Sequence, residues 1–158
     1  MGVVLLRLEA AGRRAVHVAN CGDVRAVLCR GNQAVRLSVD HKADDEGERQ
    51  RVERAGGHVV GRRVQGVLAV SRAIGDHALR PWVINEPYVQ SLTLQDRDSH
   101  LVLACDGLWD VMSDQDVCDA IRDMPEDTSC LSISKHLVVR AIALRSTDNI
   151  TVVVMRLK

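Results

Sequence analysis

Two hydrophobic periodicities run along the chain, and they divide it into strands and helices. Gly2 to Leu8 is apolar and reads as a strand. Arg14 to Asn20 alternates, with Val16 and Val18 on one face, the pattern of a half-buried strand. Arg25 to Cys29 is the next strand, and Gly31-Asn32 closes a hairpin into Gln33 to Val39. With turns at Ala11-Gly12-Arg13 and Gly22-Asp23, this opening predicts an antiparallel meander. Asp44 to Ala55 is highly charged, with Val52 and Ala55 as its apolar face. It stops at Gly56-Gly57, a helix C-terminal signal, and predicts a surface helix. Val59 to Val70 reads as two short strands around Gly61 to Arg63. Ser71 to Asp76 is irregular or a single helical turn. Trp82 to Tyr88, with Pro81 and Pro87, is extended but not a central strand.

Leu101 to Cys105 is short, uncharged and apolar, the pattern of a strand buried on both faces. It stops at Asp106-Gly107, which has two readings. The pair is a turn, or Asp106 is a half-wet carboxylate on the rim of the core, able to stay ionised and bind a cation. Ser113 with Asp116 resembles a capping box that opens a helix to about Met124. Pro125 and Asp127 break it. A second helix, about Leu131 to Leu144, places Ile133, Leu137, Ala141 and Leu144 on one face. Ser146-Thr147-Asp148 is a turn, and Ile150 to Leu157 is the last strand.

Composition narrows the function classes. A length of 158 residues suggests one domain, over residues 1–158, with room for a sizeable core. Lys+Arg and Asp+Glu both number 21, so nothing points to nucleic acid or an anionic membrane as partner. Trp82, Trp109 and Tyr88 are the only aromatics, which argues against base-stacking platforms. The five cysteines are odd in number and form no C-x-x-C pair. They are expected to be reduced and mostly buried, in a cytoplasmic or nuclear protein. No signal-peptide pattern and no apolar run of transmembrane length is read in the sequence.

Acidic residues recur at strand ends: Asp23, Asp40, Asp106 and Asp148. If the last two strands run antiparallel, Asp106 and Asp148 share one rim. Asp40 joins them if its strand runs in the direction of the Asp106 strand. Clustered carboxylates repel unless a cation is present, and an all-oxygen set suits Mg²⁺ or Mn²⁺ rather than Zn²⁺.

Six stretches, in order, are similar to motifs of the metal-dependent PPM (protein phosphatase 2C) Ser/Thr phosphatases. They are Ala19-Asn20-Cys21-Gly22-Asp23-Val24-Arg25-Ala26, Asp40-His41-Lys42, Glu53-Arg54-Ala55-Gly56-Gly57 and Leu68 to Asp76. Ala104 to Val111 and Ser146 to Thr151 complete the series. The resemblance implies an α+β fold, an α-β-β-α sandwich of two antiparallel sheets with helices outside. It implies a phosphoprotein substrate and a two-metal site at which a metal-bridging water or hydroxide attacks phosphorus in line. By position, Asp106 and Asp148 look like ligands of that centre. Asp40, with Asp106 and Asp110, resembles a weaker third-metal site. Asp23 and Asp76 look like residues that shape the sheet and loops rather than ligands.

The chain also departs from the family. The family's Asp-Gly-His-Gly-Gly motif, whose Asp bridges both metals, does not occur in this sequence. Neither does the upstream part that supplies a phosphate-binding Arg. The chain is therefore expected to correspond to the C-terminal portion of the catalytic domain and to expose apolar surface. No catalytic side chain is assigned within it, and its activity alone is expected to be low. Val24 stands where the family usually has Ser. Ile74 to Ile84 looks most like plant-type members, but the loop Gly57 to Val64 lacks their Trp, and Trp82 is expected to be a packing residue. Two further readings stay open: a non-catalytic binding fragment that keeps the fold, and a generic α+β domain with turn aspartates.

Overall fold

The computed structural model describes the backbone of Gly2–Leu8 and residues 14–157. The Ala11–Arg13 turn lies outside the described residues. The strands are β1 (Gly2–Leu8), β2 (Arg14–Asn20), β3 (Arg25–Arg30), β4 (Gln33–Arg36), β5 (Val59–Val60), β6 (Arg63–Val64), β7 (Tyr88–Thr93), β8 (Asp98–Ala104) and β9 (Val152–Arg156). The helices are α1 (Glu46–Arg54), α2 (Asp106–Trp109), α3 (Asp114–Arg122) and α4 (Cys130–Ala143).

Alternation along the strands sorts them into layers. One sheet has the order β1-β2-β7 and the other β4-β3-β8-β9, with every pairing antiparallel. Val16 and Val18 of β2 face Ala26 and Leu28 of β3 and Leu101 of β8, and this fills the space between the sheets. Val27 and Val102 point the other way, onto Leu108, Val117, Ile121, Ile133, Leu137 and Ala141 of the helices. The order of layers is sheet, sheet, helices. Val89, on the open face of the first sheet, and Val153, on the edge strand β9, are each more than half exposed.

The expected meander does not form as one sheet. β1 and β2 pair in the first sheet, while β3 and β4 pair in the second. The chain crosses between them at residues 21–24. Gly22 makes the corner at φ 101°, a conformation that favours glycine. The Asn20 side chain pins it, donating to Gly22 O at 3.3 Å and Val39 O at 2.6 Å. The inward faces of β2 and β3 are both apolar, so the two strands bury more surface stacked than side by side.

Strand β7 was not legible as such. It turns only Leu92 as an aliphatic toward the core, while Gln90 lies opposite Val18. β8 starts three residues before the apolar run because Asp98, fully buried, is bonded by Arg30 at 2.7 and 3.0 Å. The Ser113–Asp116 capping box forms in full at the start of α3, worth about 1 kcal/mol. Trp82 packs as expected: a Cβ on Gly57 would collide with the indole, which donates to Ala55 O at 3.2 Å.

The cysteine expectation is overturned for one pair. Cys29 of β3 and Cys118 of α3 form a disulfide, with Cα atoms 5.5 Å apart. They lie 89 residues apart in sequence, so spacing gave no sign of it. Cys105 and Cys130 are free thiols, and Cys21 is buried.

Helix α1 is more than a surface helix. Its Glu48 is buried and accepts from Ser71 Oγ at 2.6 Å, Arg72 Nη2 at 2.6 Å and Arg51 Nη2 at 3.1 Å. Arg51 also donates to the carbonyls of Ser71 and Trp82 at 2.8 and 2.9 Å. Burial alone would raise the Glu48 pKa, but the bonds from Arg72, Ser71 and Arg51 outweigh it and hold it at about 2. A carboxyl depressed in the folded state adds stability above its unfolded pKa and loses it as pH falls through the folded value. Stability should therefore decline from the ordinary carboxylate range down to about pH 2. Urea denaturation across that window should show a shallower acid limb for Glu48→Ala, with a loss of about 3 kcal/mol at neutral pH from the unpaired arginines. An unchanged acid limb would contradict this reading.

Candidate metal centre

The antiparallel pairing of β8 with β9, with Ala104 opposite Val152, brings the end of one strand beside the start of the other. This places Asp106 and Asp148 on one rim, as the sequence suggested. The rim is tightly fastened. Cys105 N donates to Thr151 O at 3.2 Å, and Cys105 Sγ donates to Asn149 O at 3.0 Å. Ser146 Oγ donates to Gly107 O at 2.6 Å. Gly107 is required there, because a Cβ would collide with the carbonyl oxygen of Asn149. Asp106-Gly107 is not a simple turn: it opens the one-turn helix α2, which tucks Leu108 and Trp109 into the core. Trp109 Nε1 then donates to Ala104 O at 2.9 Å.

The electrostatics of Asp106 stand apart from the other buried carboxylates. Burial raises its pKa, and the charges of Asp23, Asp148 and Asp110 raise it further, against the opposing Gly107 N–H. Among the described residues no basic side chain forms an ion pair with it. Asp23 sits at the crossing between the sheets, and of these three neighbours its charge acts most strongly on Asp106. The sequence offered one signal for this, an Asp at a strand end, and its weight was underestimated.

The other candidate ligands have partners. Asp110 caps α2 and meets Lys42 Nζ at 3.1 Å. Asp40 accepts from Arg25 Nη2 at 2.5 Å and Nε at 3.2 Å, and Arg36 lies 4.0 Å away. The same two arginines bond Asp114, each at 2.7 Å. Arg25 also lies over the Trp109 ring, 5.1 Å from its centroid. β4 does run in the direction of β8, since both are antiparallel to β3. It ends at Arg36, and the next residues carry Asp40 to Arg25 rather than to Asp106.

Asp106, Asp23, Asp148 and Asp110 thus interact, while Asp40 belongs to an arginine network. Among the described residues no three His, Cys, Asp or Glu side chains group closely enough to hold an ion. The mutually repelling all-oxygen set fits a hard divalent cation, of which Mg²⁺ takes only one or two carboxylates and fills its shell with water. The described residues by themselves do not complete a coordination shell.

Similarity to known proteins agrees. Residues 2–150 match the family model described as Protein phosphatase 2C. Protein phosphatase 2C homolog 1 of Saccharomyces cerevisiae is 45% identical over 146 residues, 92% of this chain and 51% of that protein. Protein phosphatase 2C 7 of Arabidopsis thaliana is 46% identical over 164 residues, 90% of this chain and 32% of the relative. Among solved structures, a C. elegans sex determining protein superposes with a TM-score of 0.82 at 34% identity, over 91% of this chain and 37% of that one. A phosphatase from a pathogenic strain of Toxoplasma gondii gives a TM-score of 0.79 at 33% identity, over 94% and 51% of the two chains. The chain spans a third to a half of the length of these curated relatives. Motif order, two antiparallel sheets, the fastened Asp106 rim and these matches lead to one conclusion: the chain belongs to the protein phosphatase 2C family.

Proposed function

We propose that this chain contributes the Asp106 rim to a metal-dependent protein phosphatase that hydrolyses phosphoserine and phosphothreonine in phosphoproteins. The observation that supports it most is a fixed, partly buried Asp106 on which three other carboxylates act, with no basic side chain paired to it among the described residues. In this reading Asp106 and Asp148 hold Mg²⁺ or Mn²⁺ in a two-metal centre, and Asp110 lies at its margin beside Lys42. Such a cation, when bound, lowers the pKa of coordinated water and neutralises charge developing on phosphate. Gly107, packed on Asn149, holds the two carboxylates at a fixed separation. Asp23 adds negative potential at the rim. Asp40 would join a further metal only by leaving Arg25.

The engagement of Asp40 by Arg25 favours a second reading, a non-catalytic member that uses the fold as a binding surface. Activity separates the two. In the complete protein with Mn²⁺, Asp106→Ala or Asp148→Ala should lower kcat on a phosphopeptide by about a hundredfold or more, the effect of losing one electrostatic stabiliser of a transition state. A complete protein with no turnover would support the second reading.

Stability tests the site without turnover. A carboxyl raised in the folded state costs stability as pH climbs past its ordinary range, because the unfolded chain ionises more readily. In chelator at neutral pH, Asp106→Asn should therefore melt above the parent. Added Mn²⁺ should raise the melting temperature of the parent and leave Asp106→Asn in place. A variant that melts lower in chelator would refute the picture of an uncompensated charge.

A further inference from the structure

Away from the carboxylate rim, a cleft of about 590 Å³ opens between the start of β8, the end of β9 and the α3–α4 connection. Its floor is apolar, formed by the Cys29–Cys118 disulfide with Ile121 and Ile133, and Met124 and Pro125 extend it. Its charged lining is Arg97, Arg122 and Arg156 against the single carboxylate of Glu126. Each arginine is held at one point. Arg97 donates to Gln95 Oε1 at 2.9 Å, Arg156 to Thr128 O at 2.5 Å, and Arg122 pairs with Asp119 at 2.6 Å. A guanidinium carries five N–H donors in a planar fork suited to phosphoryl oxygens, so most of that capacity is unspent.

His100 lines the same cleft. Both of its ring nitrogens are shielded from solvent and lack a hydrogen-bond partner in the structure. Burial, and then the charge of Arg156, keep the ring neutral. A neutral imidazole has one donor and one acceptor, and buried polar groups are ordinarily bonded. Among the described residues none supplies a partner for either nitrogen.

We propose that this cleft binds a small organic phosphate, its phosphoryl group among Arg97, Arg122 and Arg156 and its apolar body on the disulfide floor. The site is independent of the metal centre. His100 lies four residues before the end of β8, roughly 13 Å of strand from Ala104. The head group suits three forked cations facing one carboxylate. The apolar floor favours a phosphate with an organic body over inorganic phosphate.

The probe is phenylphosphonate, which has a phosphoryl head, an apolar body and no bond for a phosphatase to hydrolyse. It is titrated into the 158-residue chain in chelator, and the His100 ring is followed by ¹H–¹⁵N NMR. A saturable shift of the His100 signals is expected. Inorganic phosphate, the head alone, should bind about tenfold more weakly, and benzyl alcohol, the body alone, should give no saturable shift. Arg122→Gln, at a part-exposed side chain, should weaken phenylphosphonate about tenfold, as loss of a charge-assisted contact does. Arg122→Lys should recover part of that loss. Asp106→Asn should leave the titration unchanged. The proposal is overturned if His100 shows no saturable response. It is also overturned if Arg122→Gln titrates like the parent, or if the response vanishes in Asp106→Asn.

Discussion

The centre of strand β8 has no face turned to water. Leu101 points into the space between the sheets and Val102 into the helical layer, and both are completely buried. Each such side chain contributes about 1.5–3 kcal/mol by leaving water. The rest of the structure is arranged to cover this strand: β3 and β9 pair along its two edges, the β1-β2-β7 sheet lies over one face, and α2, α3 and α4 lie over the other. A strand held on four sides ends at a fixed place. That is why Asp106, one residue past Cys105, is set on the rim with little freedom, and why Gly107 must follow it.

Two buried or half-buried carboxylates show how the same group is put to opposite uses. Glu48 is surrounded by Arg51, Arg72 and Ser71, and its pKa falls to about 2. It fastens α1 to the segment that carries Trp82. Burial, with the charges of Asp23, Asp148 and Asp110, raises the pKa of Asp106. The first arrangement stabilises the fold without further help. The second costs stability, and a bound cation would offset that cost. Asp98 with Arg30, and Asp114 with Arg25 and Arg36, belong to the first kind.

The legible parts of the sequence were those decided locally. The apolar run of β8, the Ser113 cap and the Gly-Gly end of α1 each carry their cause within a few residues. The Asp106–Asp148 rim was legible because antiparallel pairing of neighbouring strands needs no knowledge of the whole fold. What escaped was decided across the chain. The crossing from β2 to β3 depends on how two apolar faces choose to stack. The Cys29–Cys118 bond joins residues whose sequence neighbourhoods share nothing. Strand β7 has too few inward aliphatics to show its period. The weight of Asp23 on Asp106, and the capture of Asp40 by Arg25, are products of tertiary packing that strand-end position alone does not reveal.

The central claim is that the Asp106 rim is held open for a divalent cation. Anomalous diffraction from crystals of the protein grown with Mn²⁺ tests it most directly. The account predicts an anomalous peak within roughly 2.0–2.6 Å of an Asp106 carboxylate oxygen, with Asp148 on the same ion or on a neighbouring one. Crystals in which Mn²⁺ binds elsewhere, while Asp106 turns to pair with a basic side chain, would contradict it.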